Sequence, residues 1–286
     1  MRKAVIVGAL VLAAGAVTAP AVADSPAGLD VVGLTASGRL VSFHANAPWR
    51  TRDMGRIAGL SGDTALVGID FRVQDGKLYG VGDKGGVYTV GRTAKAVKVS
   101  QLTVELKGAK FGVDFNPAAN RLRVISDTGQ NLRHNIDDAM GAPAAGVTVA
   151  DGTLTNPPVP PATSGVTATG VSGAAYTNND LSASTATTLF DLDTAADRVS
   201  VQSPANAGNL APTGNLGVMA EDGAGFDVYS ALRGGVAVSN QAYATIRTTG
   251  GYRFYGVDLL TGAAKGIGTF PNSRQVVDIA IPLNQG

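Results

Sequence analysis

The chain has no cysteine, two histidines, one tryptophan and few charges. Without cysteine there is no disulfide, no thiolate zinc site, no iron–sulfur cluster and no thiol nucleophile. His44 and His134 alone do not suffice for a multi-histidine metal centre. Charged residues make up 16% of the chain against 44% hydrophobic ones. That balance favours a packed core over a disordered chain. No Gly-X-Y period accompanies the 38 glycines, so they read as turns and not as collagen. After the first twenty residues no stretch is apolar for long enough to span a bilayer.

What is present begins with an export signal. Arg2 and Lys3 precede an apolar run from Ala4 to Val17, and Ala21-Val22-Ala23 is a small-x-small cleavage site. Residues 1–23 therefore read as a signal peptide, with Asp24 as the new N-terminus and residues 24–286 as the mature chain. The run is shorter than a spanning helix, so no stable membrane insertion is expected after cleavage. With no cysteine after the site, a lipoprotein anchor is chemically excluded. Removing Arg2 and Lys3 leaves 21 basic against 22 acidic residues, a net charge of −1. So neutral a chain lacks the basic footprint that nucleic acid requires.

The mature chain reads as strand nearly throughout. Short runs of Val, Leu, Ile, Phe and Tyr alternate with polar residues and are interrupted by Gly, Asn, Asp or Pro. No window shows a convincing helical stripe. The runs recur as a unit. Gly68-Ile69-Asp70-Phe71 and Gly112-Val113-Asp114-Phe115 open two copies whose aspartates stand 44 positions apart. Weaker copies open at Gly173-Ala174-Ala175-Tyr176 and Gly225-Phe226-Asp227-Val228. A last first-strand, Val276 to Ile281, ends the chain without its remainder. That remainder stands at the other end, in Leu29 to Leu34, Arg39 to Phe43 and Thr51 to Ile57.

A unit of this length holds four short strands and matches one propeller blade. The fold class expected is all-β: a β-propeller of five blades, one shared between the two termini, in a single domain. The long third and fourth intervals leave room for a sixth blade. A two-sheet sandwich is the alternative for any glycine-rich β chain, but the period and the complementary termini favour the ring. Residues 151–170, with Pro157, Pro158, Pro160 and Pro161, read as an extended surface loop. A domain boundary there is disfavoured, because similar units lie on both sides.

The pattern GIDFR, GKLYGVG and GVYTV, then FGVDFNP and NRLRVISDTGQNLR, then AAYTN and TTLFDLD, resembles the secreted bacterial family of domain of unknown function 4394. The resemblance runs from about Leu29 to Leu283, and Asp114-Phe115-Asn116-Pro117 with Ser126 to Asn131 is its most specific part. It implies an extracytoplasmic propeller-like domain and brings no catalytic residues with it.

Several constellations invite chemistry. Gly80-Val81-Gly82-Asp83-Lys84-Gly85 matches G-x-G-x-x-G, but a strand follows where a dinucleotide site needs a helix, so a hairpin turn is expected. Gly170-Val171-Ser172-Gly173 lacks the spacing of a nucleophile elbow. No base–nucleophile set is readable around His44 or His134, which are expected to be surface or inter-blade hydrogen-bonding residues. The oxygen-rich stretches Asn178-Asn179-Asp180 and Asp191 to Asp197 lack the EF-hand pattern and read as turn caps. Trp49, Tyr79, Tyr88, Tyr243, Tyr252 and Tyr255 could line a glycan-binding face, although aromatics at strand positions more often pack blade against blade.

The repeat itself supplies the sharpest candidate. Asp70, Asp114, Asp227 and Asp278 occupy one place in four first-strands, and Ala175 takes that place in the fifth. First strands are innermost, so these carboxylates should gather at the axis. They would form a channel site for a divalent cation such as calcium, or bond backbone amides and hold the ring together. The function expected is a secreted binding or interaction module, a monomer recognising an extracellular small molecule, glycan or protein. The alternative is a metal-dependent hydrolase or lyase that works through the channel carboxylates.

Overall fold

The computed structural model describes residues 28–285; the expected signal segment, residues 1–23, lies outside them. Five four-stranded antiparallel sheets follow one another around the axis as the blades of a propeller. Blade 1 runs outward from Val276–Ala280 through Asp30–Thr35 and Arg39–His44 to Arg52–Arg56. Blade 2 contains Leu66–Phe71, Leu78–Gly82, Gly86–Val90 and Ala96–Gln101. Blade 3 contains Phe111–Asn116, Arg121–Ser126, Asn131–His134 and Thr148–Ala150. Blade 4 contains Val171–Tyr176, Leu189–Asp193, Arg198–Gln202 and Leu210–Asn215. Blade 5 contains Ala224–Arg233, Val236–Thr248, Gly251–Val257 and Ala264–Thr269. The first strand of each blade touches the first strands of both neighbours, which closes the inner ring.

The closing blade is made as the two ends of the chain require. Val276–Ala280 pairs antiparallel with Asp30–Thr35, with Gly33 opposite Ile279 and Leu34 opposite Asp278. The Asp30 amide donates to Gln285 Oε1 at 2.6 Å. Pairing across the termini leaves no unmatched inner strand, the exposed edge that invites aggregation.

The long intervals hold no sixth blade. Between blades 3 and 4 the extra residues form a hairpin ladder, Thr155–Asn156 with Val166–Thr167. Its proline-rich tip is exposed, as a segment short of amide donors should be. Its base is fixed, because Leu154 is fully buried and the Thr155 amide donates to the Gly208 carbonyl at 2.8 Å. Before the last inner strand the extra length goes into the ten- and thirteen-residue strands of blade 5.

Strand periodicity explains the core. Successive side chains point to opposite faces, so each blade presents one apolar face to each neighbour. Val31 packs toward blade 5, while Val32 packs toward blade 2. Five buried clusters result, one at each junction of adjacent blades. Phe254 anchors the junction of blades 5 and 1, edge-on to Phe43 at 5.2 Å and stacked on Tyr243 at 5.5 Å. Truncating such a buried ring costs about 3–5 kcal/mol. The five tyrosines considered for a glycan face are all in these cores, and only Trp49, 52% exposed, remains outside.

Candidate functional site

The axis is built from one short motif. In four blades a glycine stands two residues before the aspartate position: Gly68, Gly112, Gly173 and Gly225. A Cβ at Gly112 would lie 2.6 Å from the Ala174 amide nitrogen, and one at Gly225 would lie 2.5 Å from the Asp278 Cα. Only glycine lets inner strands approach this closely. The approach brings each aspartate within reach of the next blade's backbone. Asp278 Oδ2 accepts from the Ile69 amide at 2.8 Å, and Asp70 Oδ2 from the Phe115 amide at 2.9 Å. Asp114 accepts from the Tyr176 amide, and Asp227 Oδ2 from the Ile281 amide at 2.5 Å. Four carboxylates thus clasp four of the five blade junctions. Ala175 leaves the junction of blades 4 and 5 without one, and the Val228 amide there is met by Asp227 Oδ1 of its own blade.

The structure brings three of the four aspartates together. Asp70, Asp114 and Asp227 each place an oxygen within 4.8 Å of the others. Asp278 stands outside this trio. All four are buried, from 2% exposure at Asp114 to 8% at Asp278. Burial raises every one of them, because a charge removed from water is penalised. Asp70 and Asp114 are pushed well above the usual carboxylate range, by burial first and then by the neighbouring carboxylates. Asp227 is pushed up to about 7 by burial, against the pull of the Ile281 and Val228 amides. Asp114 Oδ1 has no hydrogen-bond partner.

Other candidates have local roles. His134 is fully buried and links blades, with Nε2 2.8 Å from Ser100 Oγ and Nδ1 3.0 Å from Thr148 Oγ1. Burial lowers it to about 4, and its Nδ1 partner is a hydroxyl, so it is a poor base at neutral pH. His44 is on the surface beside Asp30, with Nδ1 2.9 Å from Oδ1. Ser172 Oγ accepts the Ala224 amide inside a strand. The G-x-G-x-x-G segment is the turn between two strands of blade 2. Asp180 and Asp193 accept amides two residues ahead, as turn caps do, whereas Asp197 accepts the distant Ala220 amide. Asp191 differs: it is a fully buried strand residue, both its oxygens are unpartnered, and burial raises it well above the usual range.

One feature escaped sequence reasoning. A cleft of about 1110 Å³ opens between blades 1 and 2, beside the C-terminal residues Pro282 to Gln285. Arg50, Arg52, Lys77, Arg92 and Lys95 line it with a single acid, Asp30. His44 already contacts that acid, and Lys77 lies 3.4 Å from Asp75. Among the described residues Arg50, Arg52, Arg92 and Lys95 form no ion pair. These cations come from turns and outer strands of two blades, and only the close spacing of Arg50 and Arg52 hints at them in sequence.

The model of the family described as Domain of unknown function (DUF4394) matches residues 39–280. No curated protein matches the chain. Among solved structures, a Lactobacillus plantarum protein is 19% identical over 87% of this chain and 69% of its own, with a TM-score of 0.37. A Bacteroides thetaiotaomicron protein of unknown function is 10% identical over 91% of this chain and 66% of its own, at 0.43. Dihydro-heme d1 dehydrogenase NirN in complex with DHE is 15% identical over 86% of this chain and 55% of its own, at 0.34. Likenesses this weak carry nothing about activity.

Proposed function

This chain belongs to the family described as Domain of unknown function (DUF4394), and from that premise we propose that it is a secreted binding module, a rigid propeller presenting a ligand cleft. The single observation that carries this reading is the cleft between blades 1 and 2. Its volume of about 1110 Å³ is just above the range of small-molecule sites, roughly 300–1000 Å³. Its walls are turns and strand ends held by two packed sheets, so little ordering is needed when a ligand binds. Export rests on the signal-like residues 1–23. The partner is an extracellular small molecule, glycan or protein, met by a monomer.

The test uses the mature chain from Asp24. A panel of neutral and charged oligosaccharides and peptides is screened by thermal shift, since a ligand of the native state must stabilise it. Thr93 is an exposed turn residue on the cleft wall. Thr93→Trp fills the mouth and should abolish any shift; a shift that survives moves the site elsewhere. Fractionation of the producing cell, with N-terminal sequencing, checks export and cleavage before Asp24.

A second reading concerns the axis, and the unpartnered Asp114 Oδ1 favours it. The trio fits a calcium-sized ion. Calcium–oxygen distances of about 2.3–2.6 Å place opposite ligands about 4.6–5.2 Å apart, against oxygens within 4.8 Å here. An ion there would neutralise the crowded carboxylates and brace the ring. A hydrolase using these groups is less well supported, because side chains this buried offer a substrate no approach.

A further inference from the structure

We propose that the cleft between blades 1 and 2 binds an acidic saccharide, a short glycan bearing carboxylate or sulfate groups. The inference rests on the binding reading above and names its ligand class. Its basis is a charge separation that the chain as a whole conceals. The described residues carry 21 basic and 21 acidic side chains, yet five of the former and one of the latter line this cavity. Cations gathered without counter-ions repel one another and raise the local potential, which an anionic ligand relieves. The smaller pocket between blades 4 and 5, about 440 Å³, has a single charged residue, Asp258, in its lining. Cationic character therefore distinguishes the first cleft from the second.

The residue types narrow the ligand further. Arg50, Arg52 and Arg92 present planar forks that match carboxylate and sulfate oxygens two at a time. The volume far exceeds a lone anion, so the charges sit on a larger carrier. Hydroxyls and amides from Ser42, Thr89, Thr93 and Asn284 lie among the cations and suit sugar hydroxyls. Met54 and Val97 supply apolar surface for the C–H faces of pyranose rings. A nucleic acid would need stacking platforms. Among the aromatic rings in the lining, Phe43 is 3% exposed, Phe71 is packed against the junction of blades 1 and 2, and the imidazole of His44 is held by Asp30. A single strand therefore finds no exposed Phe, Tyr or Trp platform here, only the His44 ring and the guanidinium planes, and the oligothymidylate probe tests that choice.

The experiment is calorimetry on the mature chain with four probes: a galacturonate tetrasaccharide, a sulfated heparin-type tetrasaccharide, maltotetraose as the neutral match, and a short oligothymidylate. At least one acidic saccharide should bind, with affinity that falls as salt rises, while maltotetraose binds at least about tenfold more weakly. The two acidic probes separate carboxylate from sulfate recognition. The double variant Arg52→Glu/Arg92→Glu should weaken binding by about tenfold or more. Both side chains are exposed, so its melting temperature should stay near that of the parent. Arg52→Lys/Arg92→Lys should fall between the two if paired guanidinium contacts matter, and an affinity equal to the Glu variant's would count against recognition by charge. Equal binding of maltotetraose, with no response to charge reversal but loss in Thr93→Trp, would overturn the acidic class and leave the cleft as a binding site. Oligothymidylate binding as tightly as either acidic sugar would overturn the saccharide assignment. No binding by any acidic probe at millimolar concentration would overturn the proposal outright.

Discussion

A carboxylate that accepts a neighbouring blade's amide is a fastener, and whether it is charged depends first on its burial and then on which others share its surroundings. Asp227 is pushed up to about 7 by burial, with Asp70 and Asp114 beside it. A carboxyl raised in the fold holds its proton longer than in the unfolded chain, so its contribution is present at low pH and lost as pH rises through the folded value. His134, lowered to about 4 by burial, acts in the opposite sense between about pH 4 and 6.5 and is neutral in both states above that. Between pH 6.5 and 8 the melting temperature should therefore fall. Asp227→Asn keeps an oxygen for the Ile281 amide but cannot titrate, so it should make that slope shallower, with the other raised aspartates supplying the remainder; an unchanged slope would remove Asp227 as a cause. Calcium at millimolar concentration should raise the melting temperature at pH 8, where the trio is most readily ionised, and Asp114→Ala should abolish the rise. If the parent protein does not respond, the axis holds no such ion.

At the scale of the element, the inner strand does two jobs that its sequence shows unequally. The G-x-D spacing is visible along the chain, and so is the Ala175 that interrupts it. The spacing does not show that glycine is there for contact between strands of different blades. Gly112→Ala would press a methyl group against the Ala174 and Gly173 backbone, which cannot swing aside as a side chain can. The expected cost is about 1–3 kcal/mol or more, read as a lower urea midpoint. Gly250→Ala is the control: nothing lies within 4 Å of its Cβ position and its φ is not positive, so the midpoint should hardly move. The hairpin after blade 3 makes a related point. Its prolines predict an extended, exposed segment; the tip is exposed, but it turns back at Pro160 and Pro161 to close the hairpin. The burial of Leu154 at its base depends on blade 4 and is not written in the proline pattern.

For the whole molecule, closure by a strand from the far end of the chain is the dominant constraint. Truncation after Pro271 removes Val276–Ala280 and opens the junctions of blade 1 with blades 5 and 2. That variant should fail to show a cooperative melt. A circular permutant should tolerate the opposite change. With Gln285 joined to Gly28 by a short Gly/Ser linker and new ends at the exposed Gly234–Gly235 turn, every blade retains its four strands. It should keep its circular-dichroism spectrum and a single transition; a broad, non-cooperative melt would mean that chain order matters beyond closure. At this scale too, the cationic cleft arises from two blades whose cations lie as far apart in sequence as Arg50 and Lys95.

Local preference settled the outline of this protein: alternating apolar residues make strands, Gly and Asn make turns, and a unit that repeats with its ends exchanged makes a closed ring, whose count of five against six was decided by the tertiary structure. Those features follow from each residue's own geometry and its near neighbours, so they can be followed along the chain. Proximity between distant residues settled the rest. The trio without Asp278, the amides that the aspartates grip, the hydroxyl partners of buried His134 and the gathering of unpaired arginines beside the C-terminal residues all depend on distances through space. A chain near neutrality gives no sign of them, because net charge adds up residues without regard to where folding puts them.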